Sequence, residues 1–211
     1  AGCDGIRIAK CEHAGEVHTV VEHIEKAEEE FGVQKGFTLV MAAIESPLGV
    51  LNAYEICTAC PQRMIGVAIS GSDFRKAMQT SYSPGGVEML VGRGQMLLAA
   101  RAAKVQCFDT VFTDLDDMEG FRAEVIQNKQ MGFDGKSIIS PKQIEIVHEI
   151  FTPGEKEIRA AEKIVRAMRE QAAAGVGVFT VDGKMIDIAF LPGAERVIAL
   201  AKASGVYKGD L

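Results

Sequence analysis

The sequence predicts an α/β protein organised around a parallel sheet, and three observations carry that reading. Short apolar runs alternate with stretches of helical periodicity. The runs begin roughly every 25 to 45 residues, the rhythm of repeated strand–helix units. Within each run apolar residues follow one another without strict period-2 alternation, as expected when both faces of a parallel sheet are covered.

The first run, Gly5–Ala9, precedes Val17, Val20, Val21, Ile24, Ala27 and Phe31, whose spacing places them on one face of a helix, with Glu22, Glu25, Lys26, Glu29 and Glu30 opposite. The second run, Thr38–Ile44, ends in Glu45, and Pro47 then opens a helix. The third, Met64–Ser70, is followed by Gly71-Ser72-Asp73, the same arrangement one unit later. Helical periodicity from Gly85 to Lys104 leads to the fourth run, Cys107–Thr113, and periodicity from Asp117 to Met131 leads to the fifth, Lys136–Ser140. Pro141 then suits the first turn of a short helix.

The last quarter breaks the series. A long amphipathic helix from Glu155 to about Ala174 buries Ile158, Ala161, Ile164, Val165 and Met168, and Gly175 and Gly177 end it. Val178–Asp187 reads as a hairpin with Asp182-Gly183 at its turn, and a last helix runs from about Gly193 to Ala203. Residues 1–152 are therefore expected to form the sheet-based body and 153–211 an appendage or lid. Periodicity leaves the body open between a doubly wound sheet and part of an eight-stranded barrel, which typically takes about 250 residues.

Hydrophobic residues make up 47% and charged residues 25% of the 211, the balance of a soluble globular protein. No apolar run approaches the roughly 20 residues that span a bilayer, so no membrane role is expected. Five cysteines without a targeting segment suggest a cytoplasmic protein, and the Cys57/Cys60 pair lacks the second pair a zinc site needs. With a net charge of −6 and no basic cluster, nucleic acid is not an expected partner. An anionic substrate would need a local cation or a metal.

Glu45 and Asp73 each follow an apolar strand, and in parallel α/β architectures ligands bind at the C-terminal strand ends. An all-oxygen pair of carboxylates suits Mg²⁺, which completes its octahedron with water and substrate. Spacing alone leaves a second reading open, in which both are first-turn acids favoured by the helix dipole. Around the fourth strand end, Asp116 or Asp117 is expected to cap the next helix, leaving Asp114 as the rim candidate. Asp187, beside a Gly turn, has the position of a mobile acid/base or of a solvated turn residue. The four histidines form no constellation, and no nucleophile elbow, P-loop or GxGxxG is present.

Ala42-Ala43-Ile44-Glu45-Ser46 with Leu48-Gly49-Val50-Leu51-Asn52-Ala53 resembles the signature of the citrate lyase β-subunit family, within the wider group of metal-dependent aldolases and acyl-thioester lyases. The resemblance continues in order through Asp109–Asp114, Glu119-Gly120-Phe121, Gly132–Ser137, Pro141–Ile144 and Gly183–Asp187, covering essentially the whole chain. It implies an eight-stranded (β/α) TIM barrel with a C-terminal extension, of which this chain covers about strands 4–8. The first three strands, and the Arg they bring for a substrate carboxylate, are expected to be absent. Glu45 and Asp73 match the Mg²⁺ ligands, and Asp187 matches an acid that in related lyases reaches the active site of a neighbouring subunit. Gly71, Ser72, Asp114 and Pro141 fall where substrate is bound, with Pro141 near the thioester carrier. Lys10 matches a Lys at the end of the fourth strand. Ser72 departs from the acid that family members often carry there, and Ser140 from their Asn or His.

The resemblance further implies cleavage of citryl thioester to oxaloacetate and acetyl thioester, with the acyl group on an acyl carrier protein or coenzyme A. Implied partners are the citrate lyase α and γ subunits and further copies of the chain, as a trimer or hexamer. A malyl- or citramalyl-coenzyme A lyase or thioesterase is the alternative reading, and a truncated, non-catalytic assembly partner is a third.

Overall fold

The computed structural model describes residues 3–173 and 178–211. They divide into two compact units, Ala1–Val147 and His148–Leu211, with the division inside the helix α7 (Ile144–Phe151).

In the first unit, β1 (Gly5–Ile8), β2 (Leu39–Ile44), β3 (Met64–Ile69), β4 (Gln106–Asp109) and β5 (Gly135–Lys136) form one parallel sheet in sequential order. Helices α1 (Ala14–Glu30), α2 (Pro47–Leu51), α3 (Ala53–Thr58), α4 (Gly71–Ala77), α5 (Leu90–Ala103) and α6 (Met118–Met131) connect them, so the α/β class with a parallel sheet holds. Val40, Ala42 and Ile44 of β2 and Val67 and Ile69 of β3 are buried with Ile56 and Cys57 of α3 and Met96 and Ala100 of α5. Burial pushes the Cys57 thiol up to about 12. The thiol of Cys60 is free as well.

The elements depart from the sequence reading at four places, each for a physical reason. β1 pairs only with β2 and sits at an edge, so Gly5, Ile6 and Arg7 are exposed rather than covered on both faces. β4 and β5 end at Asp109 and Lys136, short of the expected Thr113 and Ser140. Beyond those points the Gln143 side chain links the two segments, donating to the Phe112 carbonyl at 3.0 Å and accepting from the Ile139 N–H at 3.0 Å. The expected helix start at Gly85 is delayed to a 3₁₀ turn at Val87–Met89, because Gly85 and Gly86 have φ of 81° and 64°. Finally, Phe31 lies outside α1 and is 71% exposed, while Glu28 takes the inward position.

Glu28 is buried because partners meet it. Arg63 donates to both of its oxygens at 2.8 and 2.7 Å, and the Thr38 and Gly36 N–H groups add bonds at 2.9 Å each. The Arg63 hydrogen bonds, opposed by burial and aided by those backbone donors, hold its carboxyl well below the usual carboxylate range. A buried charge is tolerated when it is paired and fully hydrogen-bonded in this way.

The second unit contains α8 (Glu155–Ala173), the antiparallel hairpin β6 (Val178–Val181) and β7 (Lys184–Asp187), and α9 (Leu191–Ala203). Asp182 and Gly183 have φ of 46° and 77°, as a two-residue hairpin turn requires. Ala161 and Val165 of α8 pack with Ala194 and Ile198 of α9. α9 begins at Leu191 rather than Gly193, with Pro192 tolerated in its first turn. The helix end assigned to Gly175 and Gly177 lies outside the described residues. Among the described residues, no helix is long and apolar enough to cross a membrane.

Candidate metal centre

Register sets the site. Ile44 of β2 is level with Ile69 of β3, and the Ser70 N–H donates to the Ile44 carbonyl at 2.8 Å. Glu45 therefore leaves β2 beside the turn that leads from β3 into α4, whose first turn carries Asp73. Both acids line one cleft of about 420 Å³ together with Lys10, Glu12, Ser46, Lys76 and Ala77.

Lys10, just past β1, contacts both acids. Its N–H donates to Glu45 Oε1 at 3.1 Å, and its Nζ lies 3.4 Å from Asp73 Oδ2. It does so from a φ of 51°, a left-handed conformation costing a non-glycine residue roughly 1–2 kcal/mol. Lys76 Nζ meets the other Asp73 oxygen at 3.3 Å. Hydrogen bonding to Lys76, with the nearby Lys10 ammonium adding to it, holds the Asp73 carboxyl below its ordinary range.

A hydroxyl fixes the backbone beside each acid. Ser46 accepts from the Gly49 N–H at 3.1 Å at the start of α2, and its own hydroxyl donates to Glu12. The Asn52 side chain donates to the Glu12 carbonyl at 2.8 Å, so the loop after β1 is tied to the segment after β2. On the Asp73 side, the Gly71 N–H donates to Thr110 Oγ1 at 2.7 Å. Thr110 is 2% exposed, and a Cβ at Gly71 would come within 3.0 Å of that same oxygen, so the close approach requires glycine there. Replacing Thr110 with Val should leave the Gly71 N–H buried without a partner, at a cost of about 1–3 kcal/mol. The chemical-denaturation midpoint of Thr110→Val should fall accordingly, and Thr110→Ser should stay near the parent.

Beneath Thr110 lies a buried ionic network. Arg93 on α5 donates to both oxygens of Asp109 at 2.8 and 2.9 Å. Lys136 of β5 donates to Asp109 at 2.9 Å, to Glu124 of α6 at 2.5 Å and to the Thr110 carbonyl at 2.8 Å. Asn128 adds a bond to Asp109 at 2.6 Å. Burial pushes the Asp109 carboxyl up, but the charges and hydrogen bonds of Lys136 and Arg93 outweigh it and hold the group below the usual range.

The structure thus brings Glu45 and Asp73 into one cleft, with Gly71 and Ser72 in the turn that carries Asp73. Asp114 is exposed, and its carboxylate accepts from the Asp116 and Asp117 N–H groups at 3.0 and 3.2 Å; Asp117 caps α6 through the Gly120 N–H at 2.8 Å. Pro141 opens a 3₁₀ turn capped by Ser140. Asp187 belongs to the second unit and caps a 3₁₀ turn through the Ala189 N–H at 2.9 Å. Glu12, Thr110 and the Arg93–Asp109–Lys136–Glu124 network escaped the sequence reading; the signal for Thr110 was a pair of polar residues, Asp109-Thr110, inside the apolar run Cys107–Thr113. Among the described residues, no three or more His, Cys, Asp and Glu side chains form a metal cluster. Two carboxylates lining one cleft, with exposed ammoniums of Lys10 and Lys76 beside Asp73, nevertheless fit a hard divalent ion that keeps its waters, the donor set typical of Mg²⁺.

A parallel α/β sheet with paired acids at adjacent strand ends defines the class, and the chain belongs to the HpcH/HpaI aldolase/citrate lyase family, whose model matches residues 1–141. Within it, the chain is similar to citrate lyase subunit beta of Leuconostoc mesenteroides subsp. cremoris, at 47% identity over 100% of this chain and 69% of that protein. It is 37% identical to a (3S)-malyl-CoA thioesterase of Cereibacter sphaeroides, over 80% of this chain and 59% of that protein. Among solved structures it is similar to the CitE protein of Mycobacterium tuberculosis in complex with magnesium, acetoacetate and coenzyme A, with a TM-score of 0.70 and 25% identity over 94% of this chain and 68% of that one.

Proposed function

We propose that this chain is a Mg²⁺-dependent lyase of the citrate lyase β-subunit type, cleaving citryl thioester to oxaloacetate and acetyl thioester. The observation that carries the reading is the Glu45–Asp73 pair at the ends of β2 and β3, in a chain with 47% identity to a citrate lyase β subunit. The five parallel strands correspond to strands 4–8 of a (β/α)₈ barrel, with residues 153–211 as the extension.

Glu45 and Asp73 would hold the ion, which would supply Lewis-acid stabilisation of developing oxygen charge. The Lys10 N–H and the Thr110–Gly71 bond keep the two carboxylates aimed. Cleavage breaks the bond between the carbinol carbon and the methylene of the thioester. The carbinol oxygen loses its proton and becomes a carbonyl, and the bonding pair passes to the thioester as an enolate. Asp187 moves the proton that the enolate carbon takes up, reaching the site from a neighbouring subunit. Gly71, Ser72 and Asp114 border the substrate, and Pro141 borders the thioester carrier. The working assembly is cytoplasmic and homo-oligomeric, a trimer or hexamer, with the citrate lyase α and γ subunits supplying transfer and carrier functions.

A second reading, turnover of free coenzyme A esters, is favoured by the malyl-CoA thioesterase relative and by the coenzyme A complex of the CitE protein. Offering purified chain citryl thioester on the acyl carrier protein and, separately, malyl- and citramalyl-coenzyme A decides between them. Carrier-dependent, Mg²⁺-dependent oxaloacetate release is the expected result. Turnover of the coenzyme A esters alone would favour the second reading, and no turnover of any would leave an assembly role.

A further inference from the structure

We propose that Lys10 serves as a substitute cation at the acid pair: its ammonium neutralises Asp73 while no metal is bound, and binds a substrate carboxylate once a metal takes Asp73. This role rests on the reading of Glu45 and Asp73 as metal ligands and adds a residue for recognising the anionic substrate.

Geometry gives Lys10 two separable functions. Its main chain is fixed: the left-handed φ of 51° aims the N–H at Glu45, and the next residue, Cys11, is fully buried and donates its N–H to the Ala43 carbonyl at 2.9 Å. Such strain persists only where surrounding structure enforces it. The side chain is the opposite case, 71% exposed and held to Asp73 at 3.4 Å by an ion pair of the kind that water and salt weaken readily. Glycine would suit the backbone better but would carry no ammonium. Lys76 lies 3.3 Å from the other Asp73 oxygen, so a metal ion that binds Asp73 through either oxygen meets an ammonium already there.

Charge then decides where Lys10 goes. A divalent ion neutralises the two carboxylates, which leaves two ammoniums in the cleft against one remaining acid, Glu12, itself bonded by the Ser46 hydroxyl. The cleft becomes locally positive in a chain whose net charge is −6. A released Lys10 ammonium, its stem already anchored beside Glu45, is placed to meet a carboxylate of the metal-bound substrate.

The test is a Mn²⁺ titration of the full chain followed by electron paramagnetic resonance, with and without oxaloacetate as the dicarboxylate probe. Lys10→Met keeps the stem without the charge, and Lys10→Gly also relieves the backbone strain, which guards against a folding artefact. Both should bind Mn²⁺ more tightly, by up to about fivefold, since a competing cation is gone. Both should bind oxaloacetate in the presence of Mn²⁺ about tenfold more weakly. A purely structural role would not move the two constants in opposite directions. Loss of Mn²⁺ binding in Glu45→Gln, with both Lys10 variants matching the parent in both constants, would overturn the Lys10 role and leave the metal site standing. Weaker Mn²⁺ binding in the Lys10 variants would likewise overturn it. Absence of Mn²⁺ binding in the parent chain, or parent-like binding in Glu45→Gln, would remove the metal site and the Lys10 role together.

Discussion

Replacing Glu45 with Gln is expected to lower Mg²⁺-dependent turnover about 10³-fold or more. A metal ion stabilising oxygen charge in the transition state contributes several kcal/mol, and each 1.36 kcal/mol is about tenfold in rate. The substitution leaves the fold nearly unchanged in shape. Glu45 accepts one hydrogen bond, from the Lys10 N–H, and the amide oxygen of Gln can accept the same bond. What is lost is one of the two negative charges that would hold the proposed ion. Added Mg²⁺ should restore little activity, whereas thermal stability should stay close to the parent. Steady-state kinetics at increasing Mg²⁺, paired with a thermal melt, separates these effects. Activity retained at the parental Mg²⁺ optimum would mean that Glu45 is a first-turn acid and no ligand.

Replacing Asp109 with Asn should destabilise the first unit by about 3–5 kcal/mol, the cost of leaving buried charge without its partner. Arg93 and Lys136 have fully buried side chains, and without Asp109 only Glu124 remains to balance them. For a unit of this size that loss lowers Tm by about 10 °C or more. The same network predicts the direction of pH dependence. A carboxyl held below its unfolded pKa stabilises the fold above that unfolded value, here 3.8, and loses the contribution as pH falls through the lowered folded value. Acid should therefore melt the parent progressively below about pH 4, and Asp109→Asn should show a shallower decline because that linkage is gone. The loss should also spread to the site, since Lys136 holds the Thr110 carbonyl and Thr110 holds the Gly71 N–H ahead of Asp73.

The parts legible in the sequence were those written in contiguous residues. Strands β2 and β3 are unbroken apolar runs, and their central places in the sheet bury them as the pattern implies. The acids at their ends were visible for the same reason, and so was the turn at Asp182-Gly183. What could not be read were pairings between distant charges. Glu28 was assigned to neither face of α1, and its partner Arg63 lies 35 residues away. Arg93 sat in a helical pattern between two glycines, with nothing nearby to show that Asp109, 16 residues on, would meet it in the core. Lengths of β4 and β5 were overestimated because apolar character continues through Val111 and Phe112, while the Gln143 side chain takes over the bonding that a longer strand pair would make. Lys10 was marked by resemblance alone; its role needed its positive φ and its two contacts.

The central claim is that Glu45 and Asp73 together hold a divalent metal. Growing crystals of the chain with Mn²⁺ and measuring the anomalous difference density at the manganese edge tests it most directly. A single strong peak bridging the Glu45 and Asp73 carboxylates, with the Lys10 and Lys76 ammoniums drawn off Asp73, is the expected result. Density at any other place with none between these two carboxylates, while both ammoniums remain paired with Asp73, would contradict it.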